Sequence, residues 1–145
     1  DVIISIKGVQ RYENADPDTM ELVTAGRLER EGNSYTLSYQ ESELTGLEGT
    51  LTTFQIEPER ITLMRVGEFN SQMVFQEGRR HMSMYNTPYG AMTIGVNTRH
   101  LLAELDDQGG EIEIDYAIEI DHSVAGRNTF QINVKEAEGA AGLQI

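Results

Sequence analysis

Arg65 is the residue of this chain most in need of a chemical explanation. In the stretch Arg60–Val66, Ile61, Leu63 and Arg65 share one face at the spacing of a strand. Arg65 therefore lies beyond two core residues, at one end of its strand. A guanidinium placed there needs a carboxylate partner or an anionic ligand. The stretch Tyr35–Glu41 puts Tyr35, Leu37, Tyr39 and Glu41 on one face. Leu37 requires burial, which turns Tyr39 and Glu41 inward or toward the rim and makes Glu41 a candidate partner for Arg65. Tyr116, in the alternating run Glu111–Asp121, is expected to present its hydroxyl to the same space. Arg65, Tyr39, Glu41 and Tyr116 are thus the candidate ligand-binding residues. Arginine recognises carboxylate or phosphate through two parallel donors, and tyrosine adds an apolar wall with one hydroxyl. The same four residues also make sense as a structural Arg–Glu pair with tyrosines filling a core.

A second group is Arg79, Arg80 and His81, a dense basic cluster after Gly78 in an acidic chain. It reads either as an anion-binding rim or as a charged turn that discourages edge-to-edge aggregation. Met64, Met73, Met82, Met84 and Met92 crowd the middle third, where they suit an adaptable cavity or an ordinary core with irregular gaps.

Catalytic chemistry has less support. His81, His100 and His122 stand far apart with no metal-ligand spacing, and surface or rim positions suit them. Asn14, Asp16 and Asp18 have the one-three-five spacing of a calcium loop, but Thr19 and Ala25 occupy the places of its glycine and final glutamate, so a polar turn is expected. Phosphate-loop, dinucleotide-binding, zinc-protease and nucleophile-elbow motifs are absent. Cysteine is also absent, which removes disulfides, thiolate metal sites and Cys nucleophiles. Glu41, Glu43 and Glu48 surround a Gly-containing loop, and Glu111, Glu113, Asp115, Glu119 and Asp121 read as a solvated strand face. A hydrolase using His81 and a carboxylate ranks behind a binding barrel and behind an interaction module. No catalytic residue, metal or cofactor is expected.

These side chains must be positioned by strands. The run Glu111–Asp121 alternates acidic and apolar residues, Ala117 excepted, and Thr129–Lys135 turns Phe130, Ile132 and Val134 to one side. Together with Tyr35–Glu41, the stretches Val2–Val9, Met20–Arg30, Gly49–Ile56, Arg60–Val66, Gln72–Gln76, His81–Asn86 and Tyr89–Thr98 bring the expected strands to ten. Turn residues separate them, including Glu31-Gly32-Asn33, Glu57-Pro58-Glu59, Thr87-Pro88-Tyr89-Gly90 and Asp107-Gln108-Gly109-Gly110. Leu101–Leu105 is expected to form one helical turn. Short connections favour a closed antiparallel up-and-down barrel of about 8–10 strands over a sandwich, either filled by side chains or with room for a small ligand. At 145 residues the chain reads as a single all-β domain over 1–136 with a flexible C-terminal tail over 137–145. Asp and Glu number 24 against 11 Lys and Arg, a formal charge of −13. That balance argues against nucleic acid or an anionic membrane as the main partner. The chain opens at Asp1 with no Met and no signal-peptide pattern, so the native start is expected upstream and the cytoplasm is the expected compartment.

Two segments have more distinctive wording. The first is Tyr35–Glu41 with Leu44-Thr45-Gly46-Leu47-Glu48-Gly49-Thr50 and Thr52-Thr53-Phe54. The second is Leu63-Met64-Arg65-Val66-Gly67, Met73-Val74-Phe75-Gln76-Glu77-Gly78, His81-Met82, Tyr85 and Thr87-Pro88-Tyr89-Gly90. Together they resemble the YwiB-like family, a bacterial family of unknown function found mainly in Firmicutes. The resemblance runs from about Val2 to Val134. It implies a closed calycin-type, lipocalin-like barrel in a cytoplasmic bacterial protein, and it supplies no catalytic residues. Secreted lipocalins carry a Gly-x-Trp signature and a disulfide, neither of which exists here, so retinoid or odorant binding does not follow. The expected function is non-enzymatic binding of a small anionic or amphipathic molecule. The alternative is a structural or protein-interaction module with a filled barrel. The chain is expected to be a monomer or a homodimer.

Overall fold

The structure is a computed structural model that describes residues 1–12, 16–42, 48–67, 70–87, 90–120 and 123–137, with the backbone alone for 84–87. Asn14, Glu43, Pro88, Tyr89, His122 and the residues after Ala137 lie outside the described part, as do the readings that rest on them.

Ten strands account for nearly all of it: β1 (Val2–Arg11), β2 (Asp18–Glu31), β3 (Ser34–Gln40), β4 (Leu51–Glu57), β5 (Arg60–Val66), β6 (Ser71–Phe75), β7 (Arg80–Thr87), β8 (Gly90–Asp106), β9 (Gly109–Ile120) and β10 (Ser123–Glu136). Each pairs antiparallel with the next, and β1 pairs with β10 from Val2↔Glu136 to Arg11↔Arg127, which closes the barrel. Closure removes the free edges that an open sheet would present.

Leu101–Leu105 is strand, not a helical turn. It continues β8 and pairs with β9 through Leu101↔Ile114, Ala103↔Ile112 and Leu105↔Gly110. An isolated helical turn gains few hydrogen bonds for the residues it fixes, whereas this ladder satisfies the backbone and seats Leu101 and Leu105 against the core. The register shifts once, between Thr98 and His100, which places Arg99 at a bulge.

Alternation selects the core. Ile4, Ile6, Leu37, Phe54, Ile61, Leu63, Phe75, Val96, Ile112, Ile114 and Ile132 are buried inside the barrel. The acidic residues of β9 face the other way: Ile112 and Ile114 are fully buried, while Glu111 is exposed. The connections that follow β1, β3, β5, β7 and β9 all gather at one end, called here the mouth, because every strand reverses direction. No helix among the described residues is long and apolar enough to cross a membrane.

Candidate functional site

β5 carries Arg65 to the mouth above Ile61 and Leu63, and the cross-strand partner of Arg65 on β4 is Thr52. β3 delivers Tyr39 opposite the same Thr52, and Glu41 follows directly. Three neighbouring strands thus converge on one polar group at the upper boundary of the core. Arg65 Nε stands 3.9 Å from Glu41 Oε2, with the Arg65 side chain 21% exposed and that of Glu41 2% exposed. The Thr52 hydroxyl donates to Glu41 Oε2 at 2.5 Å. The Glu41 backbone N–H donates to the Thr50 carbonyl at 2.8 Å, which anchors the residue after β3 has ended.

Tyr39 is buried in this group. Burial is the main reason its hydroxyl is held well above the usual tyrosine range. The Glu41 carboxylate pushes the same way by charge, the Arg65 guanidinium opposes it, and side-chain contacts with Glu41 and Thr52 add smaller effects of opposite sign. Tyr39 therefore stays protonated and acts as a donor. At 3.9 Å, Arg65 and Glu41 attract without a hydrogen bond between them, and the buried Arg65 Nε has no acceptor. A buried donor in that state carries an unmet desolvation cost.

Arg65 also lines a hollow of about 330 Å³ at the mouth, whose walls include Met20, Met73, Tyr116, Asn128 and Phe130. The Tyr116 ring lies 4.7 Å from Phe75 and 5.8 Å from Phe130, centre to centre, and its hydroxyl accepts from Asn128 Nδ2 at 3.2 Å. The arrangement combines an apolar floor, one guanidinium with an unused N–H, the amides of Gln10 and Asn128, and the carboxylate of Asp18. It suits holding the acidic head of an amphipathic molecule.

Of the residues singled out above, Arg65, Glu41 and Tyr39 come together, and Tyr116 shares the mouth hollow with Arg65, whereas Tyr39 and Glu41 do not line it. Arg79, Arg80 and His81 lie elsewhere, where the β6–β7 turn meets β7. Arg80 makes a two-pronged contact with Glu119, Nε to Oε1 at 2.5 Å and a second nitrogen to Oε2 at 3.1 Å. His81 Nε2 sits 3.1 Å from Gln76 Oε1. His100 lies between Glu77 and Glu113, at 3.4 and 3.9 Å. Among the described residues, no three His, Asp or Glu side chains gather in a way that could hold a metal ion.

Sequence reasoning passed over Met20, Asn128 and Phe130 as mouth residues. The signal was present for all three. Extending the alternation of β10 back from Ile132 places Phe130 and Asn128 inside, and extending that of β2 back from Leu22 does the same for Met20.

Comparison with known proteins agrees with this architecture. The crystal structure of the ywiB protein from Bacillus subtilis superposes with a TM-score of 0.81, at 20% identity, over 93% of this chain and 90% of that one. At that identity the likeness is one of fold. No curated protein matches the chain. A family described as a domain of unknown function, DUF1934, matches residues 4–132. That span covers nearly the whole barrel, and the chain belongs to the DUF1934 family.

Proposed function

We propose that this protein is a non-enzymatic barrel that binds a small amphipathic acid at its mouth. The observation that carries the reading is Arg65, whose buried Nε lacks an acceptor and whose side chain lines a largely apolar hollow. An incoming carboxylate would complete the donor's hydrogen bonding while its apolar part covers Met73, Phe130 and Tyr116. At about 330 Å³ the hollow lies near the lower end of the range typical of ligand pockets, roughly 300–1,000 Å³, which favours a small molecule. The absence of cysteine suits the reducing cytoplasm, which we take as the setting.

The packed body of the barrel favours a second reading, a structural or interaction module whose mouth stays empty. Native mass spectrometry of untagged protein, set against its denatured mass, separates the two. It is paired with fluorescence titration of an anionic amphipathic probe, 1-anilinonaphthalene-8-sulfonate. On the binding reading, a small acidic adduct co-purifies, and Arg65→Ala abolishes it and weakens probe binding at least tenfold. A bare wild-type mass together with equal probe affinity in wild type and Arg65→Ala rejects that reading and leaves the module.

A further inference from the structure

We propose a second site, beside the mouth hollow and sharing Tyr116, Asn128 and Thr129 with it, in which Arg11, Arg99 and Arg127 bind a multiply charged tetrahedral oxyanion such as the phosphate group of a small metabolite. The three arginines line one hollow of about 360 Å³ on the barrel wall, where β1, β10, β9 and β8 run side by side. They come from three strands and meet only because the barrel closes.

Their partners, or lack of them, set them apart. The chain has nine arginines among 24 carboxylates. Arg27, Arg30, Arg60, Arg65 and Arg80 each stand within 4 Å of a carboxylate. Among the described residues Arg11, Arg79, Arg99 and Arg127 have no such partner, although carboxylates outnumber cations two to one, and three of these four share the one hollow. Asp115 lines the same hollow, but its Oδ1 accepts from the Thr129 hydroxyl at 2.7 Å and pairs with none of them. His100, also in the wall, is flanked by Glu77 and Glu113.

The backbone concentrates these charges at some cost. Arg11 and Arg127 are direct cross-strand partners in the β1–β10 ladder, where like charges disfavour pairing. Arg99 stands at the bulge in β8, the kind of irregularity that re-aims a side chain. Three guanidiniums against one tied carboxylate leave a local positive surplus on a molecule of charge −13. Each guanidinium offers paired donors that match the oxygens of a phosphate, and a bound dianion would turn the Arg11–Arg127 repulsion into a shared attraction. The overall negative charge gives no long-range help to an anion, so contact geometry must supply the affinity.

The test is isothermal titration calorimetry of the full chain with inorganic pyrophosphate, at low and at moderate salt. Inorganic phosphate and a sugar phosphate serve as further arms that separate a bare oxyanion from an esterified one. We expect saturable one-to-one binding by wild type, weakened by salt, and at least tenfold weaker in Arg11→Gln/Arg127→Gln and in Arg99→Gln. Arg79→Gln removes an equal charge elsewhere and should bind as wild type. Thermal unfolding checks that the double variant folds, and relief of the like-charge pair should leave its midpoint unchanged or raised. Absence of saturable binding by wild type overturns the proposal. So does an equal loss in Arg79→Gln, or unaltered binding by a folded Arg11→Gln/Arg127→Gln.

Discussion

Glu41 keeps a carboxylate where its side chain is only 2% exposed, and three neighbours justify it: Thr52, Tyr39 and Arg65. Glu41→Gln retains the shape and an acceptor for Thr52 but removes the charge that faces Arg65. Loss of a charge-assisted hydrogen bond and of the ion pair predicts a fall in stability of about 1–3 kcal/mol in urea unfolding, moderated because Arg65 is partly hydrated. The same variant should bind the anionic probe more tightly, since Glu41 competes with any external acid for Arg65. A fall in both stability and affinity would show that Glu41 shapes the mouth rather than competing for it. Tyr39 gives a pH prediction. The unfolded chain ionises this hydroxyl near pH 10, and the folded chain ionises it higher, because burial and Glu41 both favour the neutral form. The unfolded state then binds fewer protons than the folded one, so the contribution is complete below about pH 10 and is lost as pH rises from there. Urea unfolding between about pH 8 and pH 11 should show a decline in wild type that is shallower in Tyr39→Phe. Parallel pH profiles would contradict this assignment.

At the scale of elements, the β8–β9 hairpin is a tightly constrained turn. Gly109 and Gly110 have φ of 130° and 148°, and a Cβ on Gly110 would run into the carbonyl oxygen of Glu104 on the neighbouring strand. Gly110→Ala is expected to cost about 3 kcal/mol or more, through backbone strain and a clash that no flexible side chain can relieve. Gly32, in the β2–β3 turn, has φ of 61° but open space around it. Gly32→Ala therefore costs only the left-handed conformation, about 1 kcal/mol. Thermal unfolding of the two variants should rank them in that order, and similar midpoints would refute the clash. This hairpin also explains why Leu101–Leu105 extends: the tight glycine approach between β8 and β9 holds the ladder together to its end.

For the whole molecule, closure is continuous but uneven. β1 and β10 are paired along the whole of β1, whereas β6 and β7 meet in ladder register only at Ser71↔Tyr85. A short strand with so little pairing on one side is where a barrel opens first. Amide hydrogen exchange should show β6 losing protection well before β1 and β10. Equal protection around the barrel would mean that the wall opens only by global unfolding.

Much of this molecule was legible as a pattern of two. Alternate side chains on a strand point to opposite faces whatever the strand packs against, so the inward sets Ile61–Leu63–Arg65, Leu37–Tyr39 and Ile112–Ile114–Tyr116 follow from local geometry. Ten strands, the turns between them and the approach of Glu41 toward Arg65 come from the same reasoning. Leu101–Leu105 misled it because a short run of leucines and an alanine suits a helix as well as a strand, and only the pairing with β9 resolves the choice. Distance along the chain hid the rest. Arg11, Arg99 and Arg127 have no spacing that relates them, and their meeting depends on β1 closing onto β10 and on one bulge in β8. Sequence by itself determined which face the residues of an unbroken strand take, because that is a property of one strand. Only the tertiary structure decided which faces adjoin, because register and closure are properties of strand pairs.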